Sequence, residues 1–392
     1  MAISMWVFGV NEIALRLPSI ILTTIGIWLT FSIGSHLFNR KVGYLAAFLY
    51  SINGLIIELA GGRIPTDHID IFFLFFIELA IYFSIVFAQK KKTIFNVLAG
   101  VSIGAAILSK WLPALIVLPI WLLIVTDSGN FKLKSILFQC MLLLITCLAV
   151  FLPWQLYIFR AFPAEASWEA GFNVKHVTEV LEHRSAPFYY FIDRIRIDYG
   201  ELIYLPLIWF FWKTFKDLKD RKRWAIVIWL SVPILFFSFV RTKMPAYILF
   251  VSPALFLMTA EFWLMLSGFK ENHKQKWLFI LILIAILALP VRYTIERTKP
   301  FEKSDRSPEW VTVLKRLNER NIEKGVIFNY DRPIEAMFYT NLTAYRDIPD
   351  KKEINDLIEE GYSVIINDNG KIPDDITTIK GVSIETLLPA AH

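Results

Sequence analysis

Long apolar runs broken by short polar connections fill most of the chain. A membrane-spanning helix needs about 20 mostly apolar residues, and ten such candidates occur: roughly Pro18 to Phe38, Val42 to Ala60, Ile69 to Ala88, Thr93 to Leu108, Leu112 to Val125, Ile136 to Phe159, Leu202 to Trp212, Trp224 to Val240, Ala246 to Ser267 and Trp277 to Ile295. The fourth, fifth and seventh are shorter than a full span, which leaves their edges or tilt open. Beyond residue 295 the pattern changes to short elements. Ser307-Pro308-Glu309 reads as a helix start with Ser as cap and Pro in the first turn, leading through Trp310 to Lys324. Val326 to Tyr330 reads as a strand, Pro333 to Tyr339 as a short helix, Lys351 to Gly361 as a helix and Tyr362 to Asn367 as a second strand. This predicts a polytopic α-helical membrane body, 1–295, and a small α/β domain, 296–392, with a mostly parallel sheet.

Basic connections orient the body. Arg40-Lys41, Lys90 to Lys92, Lys132 with Lys134, Lys213 to Arg223 and Lys270 to Lys276 all belong on the cytoplasmic side by the positive-inside rule. Lys92 and Lys132 then share a side, so the stretch between them crosses twice and turns at Ser109-Lys110-Trp111. Parity places outside the loop Gly61 to His68, the turn at Lys110, the segment Arg160 to Tyr199, the turn Arg241 to Pro245 and the tail. The N-terminus also falls outside. It lacks the basic start of a signal peptide and carries Glu12 and Arg16 where the apolar region should run, so the expectation is that at least one transmembrane helix precedes it in a complete protein.

Composition closes off other classes. With 56% hydrophobic, 15% aromatic and 19% charged residues, a water-soluble chain is excluded. Residues 1–295 carry a net +10 and residues 296–392 a net −4, a basic body followed by an acidic tail. Cys140 and Cys147 lie seven apart on one apolar run and read as small helix-face residues rather than a disulfide or metal pair. No zinc spacing, P-loop or GxGxxG occurs. Asn341-Leu342-Thr343 matches a glycosylation acceptor, a triplet common by chance.

The candidate chemistry lies on the external face. Asp67 and Asp70 flank His68 at a membrane boundary, where a carboxylate is costly to desolvate and is retained for a site, a partner or an ion. Capping of the next helix by Thr66 or Asp67 is the plainer reading and is compatible with it. A divalent cation held by Asp67, His68 and Asp70 is weaker, because ligands so close in sequence converge poorly on one ion. Lys110 interrupts a long apolar stretch with no acid near it in sequence. It suits either snorkelling beside Trp111 or an anion contact. The external segment 160–199 carries Trp154 just before it, then Trp168, Glu169, His176, Glu179, Glu182, His183, Arg184, Pro187, Tyr189 and Tyr190, and helical spacing around Val174 to Leu181 suggests a short interfacial helix. Its imidazole, cation and phenols are richer than an aromatic belt requires and suit a sugar or a phosphate. Arg241-Thr242-Lys243-Met244-Pro245-Ala246-Tyr247 puts two cations at the outer end of a helix, the wrong side for the positive-inside rule but well placed for a lipid- or nucleotide-linked phosphate.

In order along the chain, Phe8-Gly9-Val10-Asn11-Glu12 through Ser19, Arg63 to Asp67, Leu108-Ser109-Lys110, Pro153-Trp154, His183 to Tyr190, and Arg241 to Tyr247 resemble the landmarks of the polyprenyl-phosphate-sugar-dependent GT-C glycosyltransferases, the group with protein O-mannosyltransferases and bacterial aminoarabinose transferases of lipid A. The resemblance covers the membrane body, and its first and last landmarks are the most specific. It implies inverting transfer of a sugar, hexosyl or pentosyl, from a polyprenyl-phosphate carrier to a lipid A-like or protein hydroxyl acceptor on the outer face of a bacterial inner membrane. It implies Asp67 as a catalytic carboxylate, Arg241 and Lys243 as phosphate contacts, and His183, Tyr189 and Tyr190 as donor or acceptor contacts, with Lys110 and Tyr247 in the binding set. The family's first external loop, expected to carry the principal catalytic carboxylate, has no counterpart among the seven residues before Phe8. A lipid or solute transporter or flippase is the competing class. Such proteins tend to place polar groups at mid-membrane on broken helices, whereas here most charges sit at helix ends. A scaffold whose acidic tail binds a partner is a third.

Overall fold

The structure, a computed structural model, describes residues 1–63, 69–129, 131–181, 183–269, 276–302, 308–370 and 372–387. It divides into two compact units, one of Arg16–Pro300 and one of Met1–Leu15 with Phe301–His392. The first fifteen residues thus group with the tail, a division the run lengths alone do not reveal.

The chain begins with α1 (Ala2–Phe8) and α2 (Glu12–Leu37), followed by α3 (Arg40–Ser51), α4 (Gly54–Gly61), α5 (Ile69–Lys90) and α6 (Thr93–Lys110). A 3-10 turn at Leu112–Ile116 leads into α7 (Val117–Asp127), and then come α8 (Leu133–Ala161), α9 (Pro163–Thr178), α10 (Tyr190–Tyr199), α11 (Tyr204–Lys216) and α12 (Arg221–Phe239). A second 3-10 stretch, Pro245–Val251, precedes α13 (Ser252–Phe269) and α14 (Lys276–Thr298). Among the described residues, seven helices are long and apolar enough to cross a membrane, and α3 with α4 makes an eighth candidate bent by 54°. Each of the ten apolar runs corresponds to one of these pieces. Two of them, α7 and α11, stay short at 11 and 13 residues.

Local chemistry explains the bend between α3 and α4. The Asn39 side chain accepts from the Val42 amide at 3.1 Å and caps α3, and the Asn53 side chain accepts from the Ile56 amide at 3.1 Å and starts α4 afresh. Gly62, in the left-handed region at φ 67°, closes α4. Small residues set another contact. Gly100 and Gly104 of α6 face α8 so closely that a Cβ at Gly100 would stand 2.6 Å from the Leu143 carbonyl oxygen, a small-xxx-small approach of the kind membrane helices use. Cys140 and Cys147 on α8 are unpaired thiols, the second buried.

The second unit holds α15 (Glu309–Asn318), β1 (Gly325–Phe328), α16 (Pro333–Thr340), β2 (Thr343–Ala344), α17 (Lys351–Glu359), β3 (Ser363–Asn367), α18 (Asp374–Thr377) and β4 (Val382–Glu385). The sheet order is β2-β1-β3-β4 and all pairings are parallel. A parallel sheet covered on both faces needs near-continuous apolar strands. Accordingly Ile327 and Ile365 pack with Leu314 and Ala336 on one face, while Val326, Phe328, Val364 and Ile366 pack with Ile354 on the other. The two edge strands escape the sequence pattern because β2 is two residues long and β4 alternates polar with apolar. Asn341 adopts φ 55° to close α16, a capping role for the residue of the glycosylation triplet. Within this unit Glu12 accepts from Lys315 at 3.2 Å and from the Tyr339 hydroxyl at 3.1 Å.

Candidate active site

The hairpin α5–α6 brings the start of one helix beside the end of the other. Asp70 in the first turn of α5 suits the positive end of the helix dipole and is 4% exposed. The ammonium of Lys110, last residue of α6, pairs with its carboxylate. The same ammonium lies 4.8 Å from the centre of the Tyr247 ring, a cation–π distance. Lys110, Tyr247 and Asp70, from three separate stretches of sequence, therefore meet at one end of the bundle. Trp111 at φ 70° ends α6 there, its amide bonding the Ile107 carbonyl at 2.8 Å.

A second group is built around Thr242, which is fully buried. Its hydroxyl donates to the Glu179 carbonyl at 2.8 Å and accepts from the Leu181 amide at 2.9 Å. The amides of Arg241, Thr242 and Lys243 donate to the carbonyls of Val177, His176 and Arg184 at 3.0, 3.2 and 3.0 Å. Turn 241–243 is thus sewn to the last turn of α9 and to the segment that follows it. The helix in this region is α9, which ends at Thr178 rather than running through Val174 to Leu181, because the chain turns extended at Glu179.

This stitching gives Lys243 a role different from the expected phosphate contact. Its ammonium donates to the carbonyls of Ser238 at 2.8 Å and Val240 at 2.6 Å, the orphan acceptors at the end of α12, and the residue is 7% exposed. Burial and the neighbouring Arg241 push its pKa below the ordinary lysine value. The expectation of two cations converging on one anion fails on geometry, since one is spent as a helix cap while Arg241 is exposed.

His183 is exposed with φ 57°, Tyr189 is exposed, and Tyr190 is half-buried at the start of α10. Burial raises the Tyr190 pKa, against the lowering effect of Arg194 and Arg184. Tyr190 connects to the Lys110 group through rings: Tyr190–Phe191 at 5.0 Å, Phe191–Phe237 at 6.2 Å and Phe237–Tyr247 at 5.3 Å. Trp154 and Trp168 are exposed, with Trp168 stacked on Phe172. Asp67 and His68 lie outside the described residues. Among the described residues no three His, Cys, Asp or Glu side chains gather as a metal site.

Sequence reasoning missed a buried ionic network at the same end. Arg297 of α14 donates to Glu58 of α4 at 3.0 Å and pairs with Asp198 of α10, whose other oxygen lies 3.4 Å from Arg194. The Asn53 amide donates to the Asp198 carbonyl at 3.0 Å. Burial raises the Asp198 pKa against the opposing pull of the two arginines. Glu78 was missed as well: at mid-span on α5 and fully buried, it accepts from Thr30 at 2.5 Å, and its other oxygen has no hydrogen-bond partner among the described residues. Of the two, Glu78 carries a sequence signal, an acid in the middle of an apolar run.

Comparison with known proteins bears on this arrangement. The family described as dolichyl-phosphate-mannose-protein mannosyltransferase matches residues 1–157. Over 91% of the chain the fold follows that of ArnT from Cupriavidus metallidurans bound to undecaprenyl phosphate, with a TM-score of 0.63, 14% identity and 79% of that chain covered. The membrane body is a GT-C fold, related in sequence to the lipid-phosphate-sugar glycosyltransferases. The archaeal oligosaccharyltransferase AglB from Archaeoglobus fulgidus, solved with an inhibitory peptide and a dolichol-phosphate, shares the GT-C fold at a TM-score of 0.56 and 13% identity, covering 88% of this chain and 55% of that one. In sequence the chain is 27% identical to an uncharacterized protein of Aquifex aeolicus over 300 residues, 74% of this chain and 57% of that protein. It is 24% identical over 308 residues to the undecaprenyl phosphate-alpha-4-amino-4-deoxy-L-arabinose arabinosyl transferase of Photorhabdus laumondii, 75% of this chain and 54% of that protein. The chain thus spans about half the length of the curated relatives it matches.

Proposed function

We propose that the chain takes part in moving a sugar from a polyprenyl-phosphate carrier to a hydroxyl of a lipid A-like or protein acceptor, with inversion at the anomeric carbon. The supporting observation is the meeting of Lys110, Asp70 and Tyr247 at one mouth of a GT-C bundle. An ammonium has three donors, and Asp70 uses one, so Lys110 keeps capacity for an anionic oxygen. Its position over the Tyr247 ring fixes where that capacity points. Arg241, exposed beside the Thr242 stitch, is the second cation we assign to the phosphate. Tyr190, linked to Tyr247 through the Phe191 and Phe237 rings, suits the sugar or acceptor, and we assign Tyr189 and His183 to the same role.

In this reading the bond from the anomeric carbon to the phosphate oxygen breaks and one from that carbon to the acceptor oxygen forms. The carrier leaves as polyprenyl phosphate, its growing negative charge stabilised by Lys110 and Arg241. A carboxylate takes the acceptor proton. We assign that role to Asp67, three residues before Asp70. The site faces outward across a bacterial inner membrane, with the tail on the same side. The aminoarabinose transferase relatives favour a pentose donor and a lipid acceptor, and the mannosyltransferase match favours a hexose and a protein.

The test is transfer of radiolabel from polyprenyl-phosphate-linked aminoarabinose or mannose in membranes containing the protein. Transfer that Lys110→Ala and Asp67→Asn each abolish supports the reading. Transfer untouched by both substitutions, or no transfer from either donor, overturns it.

A further inference from the structure

At the end of the bundle away from Lys110, the ends of α2, α7 and α12 together with Glu261 of α13 line an open cavity of about 530 Å³. Its wall is an ionic frame. Glu261 accepts from Lys213 at 2.8 Å and from Arg223 at 2.6 Å, and Arg223 also donates to Asp220 at 2.5 Å. Four further charged groups face the cavity with capacity to spare. Lys222 stands 3.9 Å from Asp127, the outer limit of a pair. The Asp217 carboxylate accepts the Lys219 amide at 3.2 Å, and the Lys219 ammonium has no partner among the described residues. Beside the cavity α11 exposes Trp212 and Phe215, the connection after it exposes Leu218, and Lys216 sits 3.8 Å from the Trp212 ring centre, the aromatic and cationic signature of the membrane–water interface.

We propose that this cavity seats the headgroup of a zwitterionic phospholipid bearing a primary ammonium. A simple anion would meet Lys219 and Lys222 but be repelled by Asp127 and Asp217, and a simple cation would meet the reverse. A headgroup with a phosphate and an ammonium one short linker apart satisfies both pairs. The ammonium is primary because Asp127 and Asp217 accept hydrogen bonds, which a quaternary nitrogen cannot donate. Quaternary ammonium is instead held in an aromatic cage, and the one ring lining this cavity, Phe38, lies under Arg223 at 6.0 Å. The acyl chains then run along the apolar side of α11. The proposal is independent of the sugar-transfer reading.

Native mass spectrometry of the delipidated full chain tests it. The titrants are phosphatidylethanolamine, phosphatidylcholine and phosphatidylglycerol with identical acyl chains, and inorganic phosphate. The expected result is binding of phosphatidylethanolamine about tenfold tighter than phosphatidylcholine, the worth of one charge-assisted hydrogen bond. Asp127→Asn should erase that preference and Lys219→Gln should weaken both lipids. Lys219 is exposed, so its variant remains informative if Asp127→Asn misfolds. Equal binding of the ethanolamine and choline lipids, stronger binding of phosphatidylglycerol, displacement by inorganic phosphate at the same affinity, or wild-type behaviour in Lys219→Gln would each overturn the proposal.

Discussion

The ammonium of Lys110 is paired with the carboxylate of Asp70, forty positions away, across the mouth of the α5–α6 hairpin. Both side chains are largely buried, so each is the other's charge compensation. Removing one partner of such a buried pair typically costs about 3–5 kcal/mol, because the remaining charge stays desolvated and loses a compensating contact. Asp70→Asn and Lys110→Met should therefore each lower the thermal midpoint sharply, and the double variant should lose less than the two losses added. Strict additivity in that cycle would show that the two groups do not interact.

The Thr242 hydroxyl is the only side-chain bond between turn 241–243 and segment 179–181 among the described residues. Thr242→Val keeps the shape and leaves the Leu181 amide and the Glu179 carbonyl unmatched, at a cost of about 1–3 kcal/mol. Hydrogen exchange should locate the effect at Leu181, with protection falling there and staying unchanged in α5. Thr242→Ser should retain most of the protection.

Helix approach at Gly100 allows no side chain. A Cβ there would lie 1.9 Å from the Thr146 hydroxyl oxygen, whereas at Gly171 nothing stands within 4 Å. Gly100→Leu should split α6 from α8 and reduce the yield of folded protein in detergent, and Gly171→Ala should leave it unchanged. Size-exclusion fluorescence of the two variants decides the matter.

Tyr339 titrates late. Its phenol is pushed up to about 12 by burial and by the Glu12 carboxylate it bonds. A raised phenol pKa keeps its proton longer in the folded state, so its stabilisation is complete below pH 10 and is lost as pH rises toward 12. Absorbance titration at the phenolate band, wild type minus Tyr339→Phe, should show that midpoint, and Glu12→Gln should move it back toward 10. A midpoint unmoved by Glu12→Gln would contradict the assigned bond.

The ten apolar runs and the parallel tail were legible because burial in lipid or in a two-sided sheet imposes long or continuous apolar stretches that survive in one dimension. Pairings were not. Lys110 looked unpartnered because its acid is distant in sequence, and Asp70 was read as a boundary carboxylate beside Asp67 or a weak metal ligand, not as the partner of Lys110. Lys243 read as a phosphate contact because residue type and side of the membrane are visible in sequence, while the direction of an ammonium toward the last carbonyls of α12 is not. Glu58, Asp198 and Arg297 each lie near a run boundary where a charge is unremarkable, and only folding makes them one network. The broken span was hidden for the opposite reason: Ser51-Ile52-Asn53 is mild enough in hydropathy to pass as continuous helix.

The stitch between turn 241–243 and segment 176–184 bears on how this protein can be re-engineered. Five bonds join two stretches some sixty residues apart, and three of them use backbone atoms on both sides, so for those the geometry rather than the residue identity is what must match. Grafting His183 to Tyr190 from a relative with a different acceptor would import a loop cut for another turn. Chimeras that exchange 176–190 and 237–247 together should fold, and single-segment exchanges should not, so these two stretches form one transplantable cassette.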